Sequence, residues 1–274
     1  MTSVILTGTG GPEASASRAQ AGTLVETSGR LLQFDAGRGT VMRLTQVGIP
    51  LPDLAAVFIT HHHSDHVLDL ADLVHTRWLY RGSTLEIVVP EGPGRAFCER
   101  VLEPLADDIR SRLVFQGRDD FPEVKVSAFH AADAPAVVWK DEGLLVSSVR
   151  VHHGNLQPAV AYRVKTSDGV IVISGDTRVC TEMESLAADA DVLVHSVLRN
   201  IGDRTGRPEI HADSVELGAM AQRIGVRRLV LTHLLPPPRS DADVDAFVRD
   251  ARSGGFEGEV VIGPDLTRVD LESR

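Results

Sequence analysis

Cysteine is nearly absent: the chain of 274 residues has two, Cys98 and Cys180. They stand far apart and in no CxxC spacing, which suggests neither a disulfide framework nor a cysteine metal site. Each reads as a small buried apolar residue. Aromatic residues are scarce at 4%, so the core has to be built from Val, Leu, Ala and Ile. No apolar run approaches the ~20 residues of a membrane span. The start, Met1-Thr2-Ser3-Val4-Ile5-Leu6, lacks a basic stretch ahead of a long apolar one, so no signal peptide is expected and a cytoplasmic location is. Low-complexity linkers and short-period repeats are missing too. Pro236-Pro237-Pro238 reads as a stiff loop, because strand and helix patterns continue on either side. Positive charge is in deficit, with 28 Lys and Arg against 38 Asp and Glu and a net charge of −10. That balance argues against nucleic acid as the main partner and for a small-molecule substrate. An anionic substrate remains open, since a metal site brings its own positive charge.

What is present suits one large α/β domain, 1–274, or two small ones, with 43% hydrophobic residues to fill a core. Short apolar runs bounded by Gly, Pro and Asp predict strands at 4–6, 23–26, 31–34, 56–60, 86–89, 125–129, 144–151, 159–165, 170–174, 192–195, 229–232 and 260–262. Helical spacing marks 40–47, 67–80, 95–107, 213–224 and 241–252. Each half runs strands first and helices after, the pattern of two packed sheets with helices outside, an α/β (α+β) architecture.

The chemistry concentrates in Thr60-His61-His62-His63-Ser64-Asp65-His66, at the junction of a strand and a helix. Imidazole and carboxylate together suit Zn, Fe, Mn or Co more than Ca or Mg. His61 and His63, two apart on an extended segment, point the same way, while Asp65 and His66 enter the first helical turn. One segment thus offers two ligands to each of two ions, and His62 faces away. Three further polar residues follow apolar strands: His153, Asp176 in Ser174-Gly175-Asp176-Thr177, and His233 in Leu231-Thr232-His233. Such residues on several strands outline a loop-borne site.

The sequence resembles the metallo-β-lactamase superfamily, whose HxHxDH motif stands here as His61-x-His63-x-Asp65-His66. The branch it resembles most holds ribonuclease Z and the zinc-dependent arylsulfatases. The likeness runs through Gly8-Thr9-Gly10, Leu31-Leu32-Gln33-Phe34-Asp35-Ala36-Gly37, Val160-Ala161-Tyr162-Arg163, Asp191-Val192-Leu193-Val194-His195 and Leu231-Thr232-His233. It implies a four-layer αββα sandwich with the site at the edge of the two sheets. It implies two divalent ions, Zn2+ first with Mn2+ or Fe2+ as alternatives. His61, His63 and His153 would hold one ion, Asp65, His66 and His233 the other, and Asp176 would bridge them. His152 would face the opposite side, and Asp35 would be a hydrogen-bond partner of the ligands. A homodimer is common in this branch.

Two such ions lower the pKa of a bridging water and so predict a hydroxide nucleophile, with Asp65 orienting it by similarity. Two other histidines are candidates for the leaving-group proton. His195 ends the strand 192–194, and His211 starts the helix 213–224. Ribonuclease Z-like proteins carry a His-Glu pair at the former position. Here the pair is His195-Ser196, so the acid that would orient the imidazole is missing. His75 and His130 read as ordinary histidines, and Arg77, Trp78 and Trp139 as either packing or pocket wall.

The expected reaction is hydrolysis of a small sulfate ester or phosphodiester, as in an arylsulfatase or phosphodiesterase. A lactone, β-lactam or other carbonyl ester is the alternative. Transfer-RNA 3′ processing ranks third, because ribonuclease Z enzymes insert a long RNA-gripping arm between the third His motif and the bridging Asp. Here that interval is 176 − 153 = 23 residues. A non-catalytic metal-binding sensor ranks last.

Overall fold

The computed structural model describes residues 1–199 and 210–271. Among them, fourteen strands form two seven-stranded sheets. The first sheet is ordered β14-β1-β2-β3-β4-β5-β6. Its strands are β1 (Ser3–Gly8), β2 (Gly22–Thr27), β3 (Arg30–Phe34), β4 (Leu54–Phe58), β5 (Leu85–Pro90), β6 (Val124–Phe129) and β14 (Arg268–Asp270). The second is ordered β13-β12-β11-β10-β9-β8-β7. It comprises β7 (Ala136–Asp141), β8 (Leu144–Arg150), β9 (Val160–Lys165), β10 (Val170–Ile173), β11 (Val192–Leu198), β12 (Arg228–Leu235) and β13 (Glu259–Ile262).

Strand alternation divides the side chains between two kinds of core. On β4, Ala56 and Phe58 face the second sheet, where they meet Tyr162, Val194 and Val230. Val57 and Ile59 face the other way, onto helices α1 (Thr40–Gln46), α3 (Leu70–Leu79) and α4 (Pro93–Glu99). The short helix α2 (Ser64–Val67) precedes α3. The outer face of the second sheet packs on α6 (Thr181–Ala187), α7 (Ser214–Arg223) and α8 (Asp241–Ser253). The result is the αββα sandwich. With few aromatics available, Phe34 stacks on Phe58 at 4.7 Å, and Tyr162 packs edge-on to Phe58 while its hydroxyl donates to the Ile59 carbonyl at 2.7 Å.

β3 to β6 run parallel, as do β10 to β13, while β7 to β10 and β1 to β3 are antiparallel. Ligands in open α/β sheets gather outside the carboxyl ends of the strands. The residues after β3, β4 and β10 and near the end of β12 are Asp35, His61, Asp176 and His233.

Several elements depart from the sequence expectation. β7 and β14 were not expected. The helix expected over 95–107 ends at Glu99, and α5 (Ala106–Gln116) follows with Ile109 as its one buried residue. β11 runs on through Leu198, so His195 lies inside a strand instead of ending one. β12 runs on to Leu235, carrying His233 within it. Arg77 is packing: its guanidinium caps the Leu51 and Leu54 carbonyls at 2.6 and 3.0 Å. Trp139 packs edge-on to Phe58 at 5.7 Å. No helix among the described residues is long and apolar enough to cross a membrane.

Candidate metal centre

His61 stands three residues past the end of β4, and the chain then turns at His63 into α2, which carries Asp65 and His66. This turn is tight against the loop after β3. A Cβ on Gly37 would lie 2.2 Å from the Asp65 carbonyl, so only glycine fits there. Gly175 sits at φ +58 between β10 and Asp176, with its Cα face against Thr60. His233 is the extra residue of a bulge. The β11–β12 register passes from Ser196↔Thr232 to Val197↔Leu234 and skips it, and its φ is +47. A bulge re-aims one side chain, and here it turns the imidazole toward Asp65 and Asp176.

The donor atoms fall into two groups. His61, His63 and His153 bring theirs within 4.8 Å of one another, and so do Asp65, His66 and His233. Asp176 lies between them. Its Oδ2 is 3.3 Å from His233 Nε2, 3.4 Å from His66 Nε2 and 3.8 Å from His153 Nε2. All of these residues are buried except His63, which reaches the surface. His62 joins neither group.

The hydrogen bonds decide which ring nitrogens are free. The Thr60 hydroxyl donates to Asp35 Oδ2 at 2.8 Å, so at 3.0 Å it accepts from His61 Nδ1. Asp35 Oδ2 also accepts from His66 Nδ1 at 2.8 Å, and the Ile210 carbonyl accepts from His153 Nδ1 at 2.9 Å. In each neutral ring the Nε2 lone pair then points inward. One carboxylate, Asp35, thus fixes His66 directly and His61 through Thr60.

Burial and mutual charge set the protonation. Burial, together with the neighbouring His66, holds the His61 imidazole well below its ordinary range. His66 is raised well above it despite burial, because Asp176 and Asp35 flank it. Burial works against ionised Asp176, yet His233 and His66 keep its carboxyl well below the usual range.

The donor set fits divalent cations. His61 Nε2, His66 Nε2 and Asp176 Oδ1 are buried without a hydrogen-bond partner among the described residues. His63 Nδ1 and His153 Nε2 face each other at 3.2 Å. Two basic nitrogens that close require a proton or a cation between them. Imidazoles with carboxylates are the donor chemistry of zinc and of the divalent first-row metals.

The two proton-donor candidates separate. His195 is fully buried on the β11 face shared with Leu193 and Val197, toward the helices. Its Nδ1 donates to the Ser196 carbonyl at 2.6 Å, and burial pushes its pKa down to about 4. It joins none of the converging donor groups, although Asp176 is near enough to oppose part of that downward shift. His211 instead lies between the two groups, with its ring 5.2 Å from that of His153 and 5.3 Å from that of His233. It also offers a donor atom within 4.8 Å of those of His153 and Asp176, a closeness the sequence reading missed. Burial lowers its pKa to about 4, so the imidazole is neutral at pH 7. Thr60 was missed as well, although a hydroxyl residue directly before His61 was its signal. The Ile210 carbonyl, a backbone group, had none.

Comparison with known proteins gives this geometry a family. The model of a beta-lactamase superfamily domain matches residues 30–234. A ribonuclease Z of Mycobacterium sp. (strain KMS) is 33% identical over 281 residues, covering 99% of this chain and 96% of that protein. In fold, the chain is similar to the metallo-beta-lactamase fold protein YhfI from Bacillus subtilis, with a TM-score of 0.76 at 23% identity, covering 98% of this chain and 100% of that one. The short form of human tRNase Z aligns with a TM-score of 0.75 at 20% identity, covering 98% of this chain and 99% of that one. The chain is a metal-dependent hydrolase and belongs to the metallo-β-lactamase superfamily.

Proposed function

We propose that the chain is a phosphodiesterase that works with two divalent ions, zinc first. His61, His63 and His153 hold one ion, Asp65, His66 and His233 the other, and Asp176 reaches both. Bound ions supply Lewis acidity, charge neutralisation and a lowered pKa for water.

The observation that carries the reading is the charge of the donor set. Asp65, Asp176 and buried Asp35 bring three negative charges, against four from two divalent ions. Before a bound water loses its proton the site is therefore positive, inside a chain of net charge −10, which suits capture of an anionic ester better than of a neutral lactone. Asp65, held by His233 at 3.1 Å, orients the attacking water. His211 donates a hydrogen bond to the oxygen on which negative charge grows. This role suits a neutral imidazole better than proton delivery by an imidazolium.

The relatives' name, ribonuclease Z, favours a phosphodiester over a sulfate ester, and it brings a second reading, hydrolysis of RNA. The name counts against the expectation, drawn from net charge, that nucleic acid is not the partner. The chain has little to grip a folded RNA with between His153 and Asp176. That interval holds the β9–β10 hairpin closed by residues 166–169. A single-stranded end or a small phosphodiester fits this better.

A panel on metal-loaded protein tests the proposal: bis-4-nitrophenyl phosphate, 4-nitrophenyl sulfate, a lactone and a transfer-RNA precursor. Turnover of the phosphodiester above the sulfate and the lactone is expected. Fast lactone opening without phosphodiester turnover would sink the reading. Cleavage of the precursor far faster than of the small diester would select the RNA form of it.

A further inference from the structure

Beside the metal centre, on its outer flank, a second group of donors converges. His152, Cys180 and Glu182 bring an imidazole nitrogen, a thiol sulfur and a carboxylate oxygen within 4.8 Å of one another, all half-buried. None of them serves the first centre. We infer that these three residues form an additional cation site that takes a zinc-class divalent ion, with its remaining position open to water.

Three observations carry this. The first is the donor chemistry: imidazole, thiolate and carboxylate are the three side-chain ligands of zinc. The second is spacing. His152 Nε2 and Glu182 Oε2 are 3.4 Å apart, well beyond the ~2.7–2.9 Å of a charge-assisted hydrogen bond. Ligands about 2.1 Å from a tetrahedral ion sit about 3.4 Å from each other. The third is preorganisation. The His152 amide donates to the Thr177 hydroxyl at 3.2 Å, and the Arg178 amide donates to the His152 carbonyl at 3.2 Å. The loop bearing His152 is thus fastened to the turn leading to Cys180 before any ion arrives.

Binding replaces the Cys180 thiol proton with the ion, and the proton leaves to solvent. Burial, with Glu182 alongside, holds that thiol above its ordinary range in the free protein, so the ion is what makes it a thiolate. His152 adjoins His153, and Thr177 adjoins Asp176. An ion here braces the two backbone segments that carry ligands of the first centre. The inference does not rest on which ester the first centre cleaves.

Cobalt(II) titration of the full chain, followed in the near ultraviolet, tests it. The donors of the first centre are nitrogen and oxygen only. Cys98 is buried in the core between the first sheet and its helices, its thiol pushed up to about 12. A thiolate-to-cobalt charge-transfer band therefore reports Cys180, however many ions the first centre holds. The band is expected in the wild type, is expected to vanish when zinc is added, and is expected to be absent in Cys180→Ser with the visible cobalt bands kept. Glu182→Gln should demand at least tenfold more cobalt for the same band. No thiolate band in folded wild type under excess cobalt would mean a hydrogen-bonded cluster only, and would overturn the site. So would a band that survives Cys180→Ser. If Cys180→Ser does not fold, Glu182→Gln decides: an unshifted titration overturns the proposal.

Discussion

Asp176→Ala should lower phosphodiester turnover by about a thousandfold or more, and the purified variant should keep fewer divalent ions per chain than the wild type. The expectation follows from the position of the carboxylate. Asp176 Oδ2 is within 3.8 Å of Nε2 atoms from both donor groups, and Oδ1 is buried without a partner. Removing it takes a ligand from both groups and the counter-charge from His66, whose raised pKa depends on Asp176 and Asp35. Charge stabilisation by metals is worth several kcal/mol, and 1.36 kcal/mol is tenfold in rate, which gives about three orders of magnitude. Elemental analysis and initial rates check it. A variant that keeps the wild-type metal content would show that Asp176 bridges nothing.

His211→Ala should cut kcat by roughly 10²–10³, the usual cost of removing one hydrogen-bond donor aimed at developing charge. Its metal content should not change. The ring sits between His153 and His233, its Nδ1 has no partner among the described residues, and its lowered pKa makes it a neutral donor. The competing role is a ligand, since its donor atom also lies near those of His153 and Asp176. The two roles separate cleanly. A ligand's loss appears in the metal count, whereas a donor's loss appears in kcat alone. His195→Ala is the matched control for the other candidate. It opens a cavity under β11, so its main effect should be on thermal stability.

The converging donors were legible because most of them are local. His61, His63, Asp65 and His66 lie within six residues, and His153 and Asp176 each follow an apolar run whose end can be seen. What failed was strand length. Val197 and Leu198 continue the apolar pattern of β11, so a reading that stopped at residue 195 made His195 a strand-end residue. The bulge at His233 was invisible for a related reason. It appears only as a change of phase, Leu229 and Leu231 facing the helices and then Leu234, which looks like an ordinary strand end in one dimension. β7 was missed because it is an edge strand whose side chains are mostly exposed or half-buried. α5 was missed because a helix with one buried residue has no apolar stripe to read. The Asp35–Thr60–His61 relay depends on the register between β3 and β4, which sequence spacing does not specify.

The most direct measurement is anomalous diffraction at the zinc edge from crystals of the zinc-loaded protein. Two peaks are expected in the first centre. One should lie at coordination distance from His61, His63 and His153, the other from Asp65, His66 and His233, with Asp176 touching both. A single peak there, or two peaks without Asp176 between them, would contradict this arrangement.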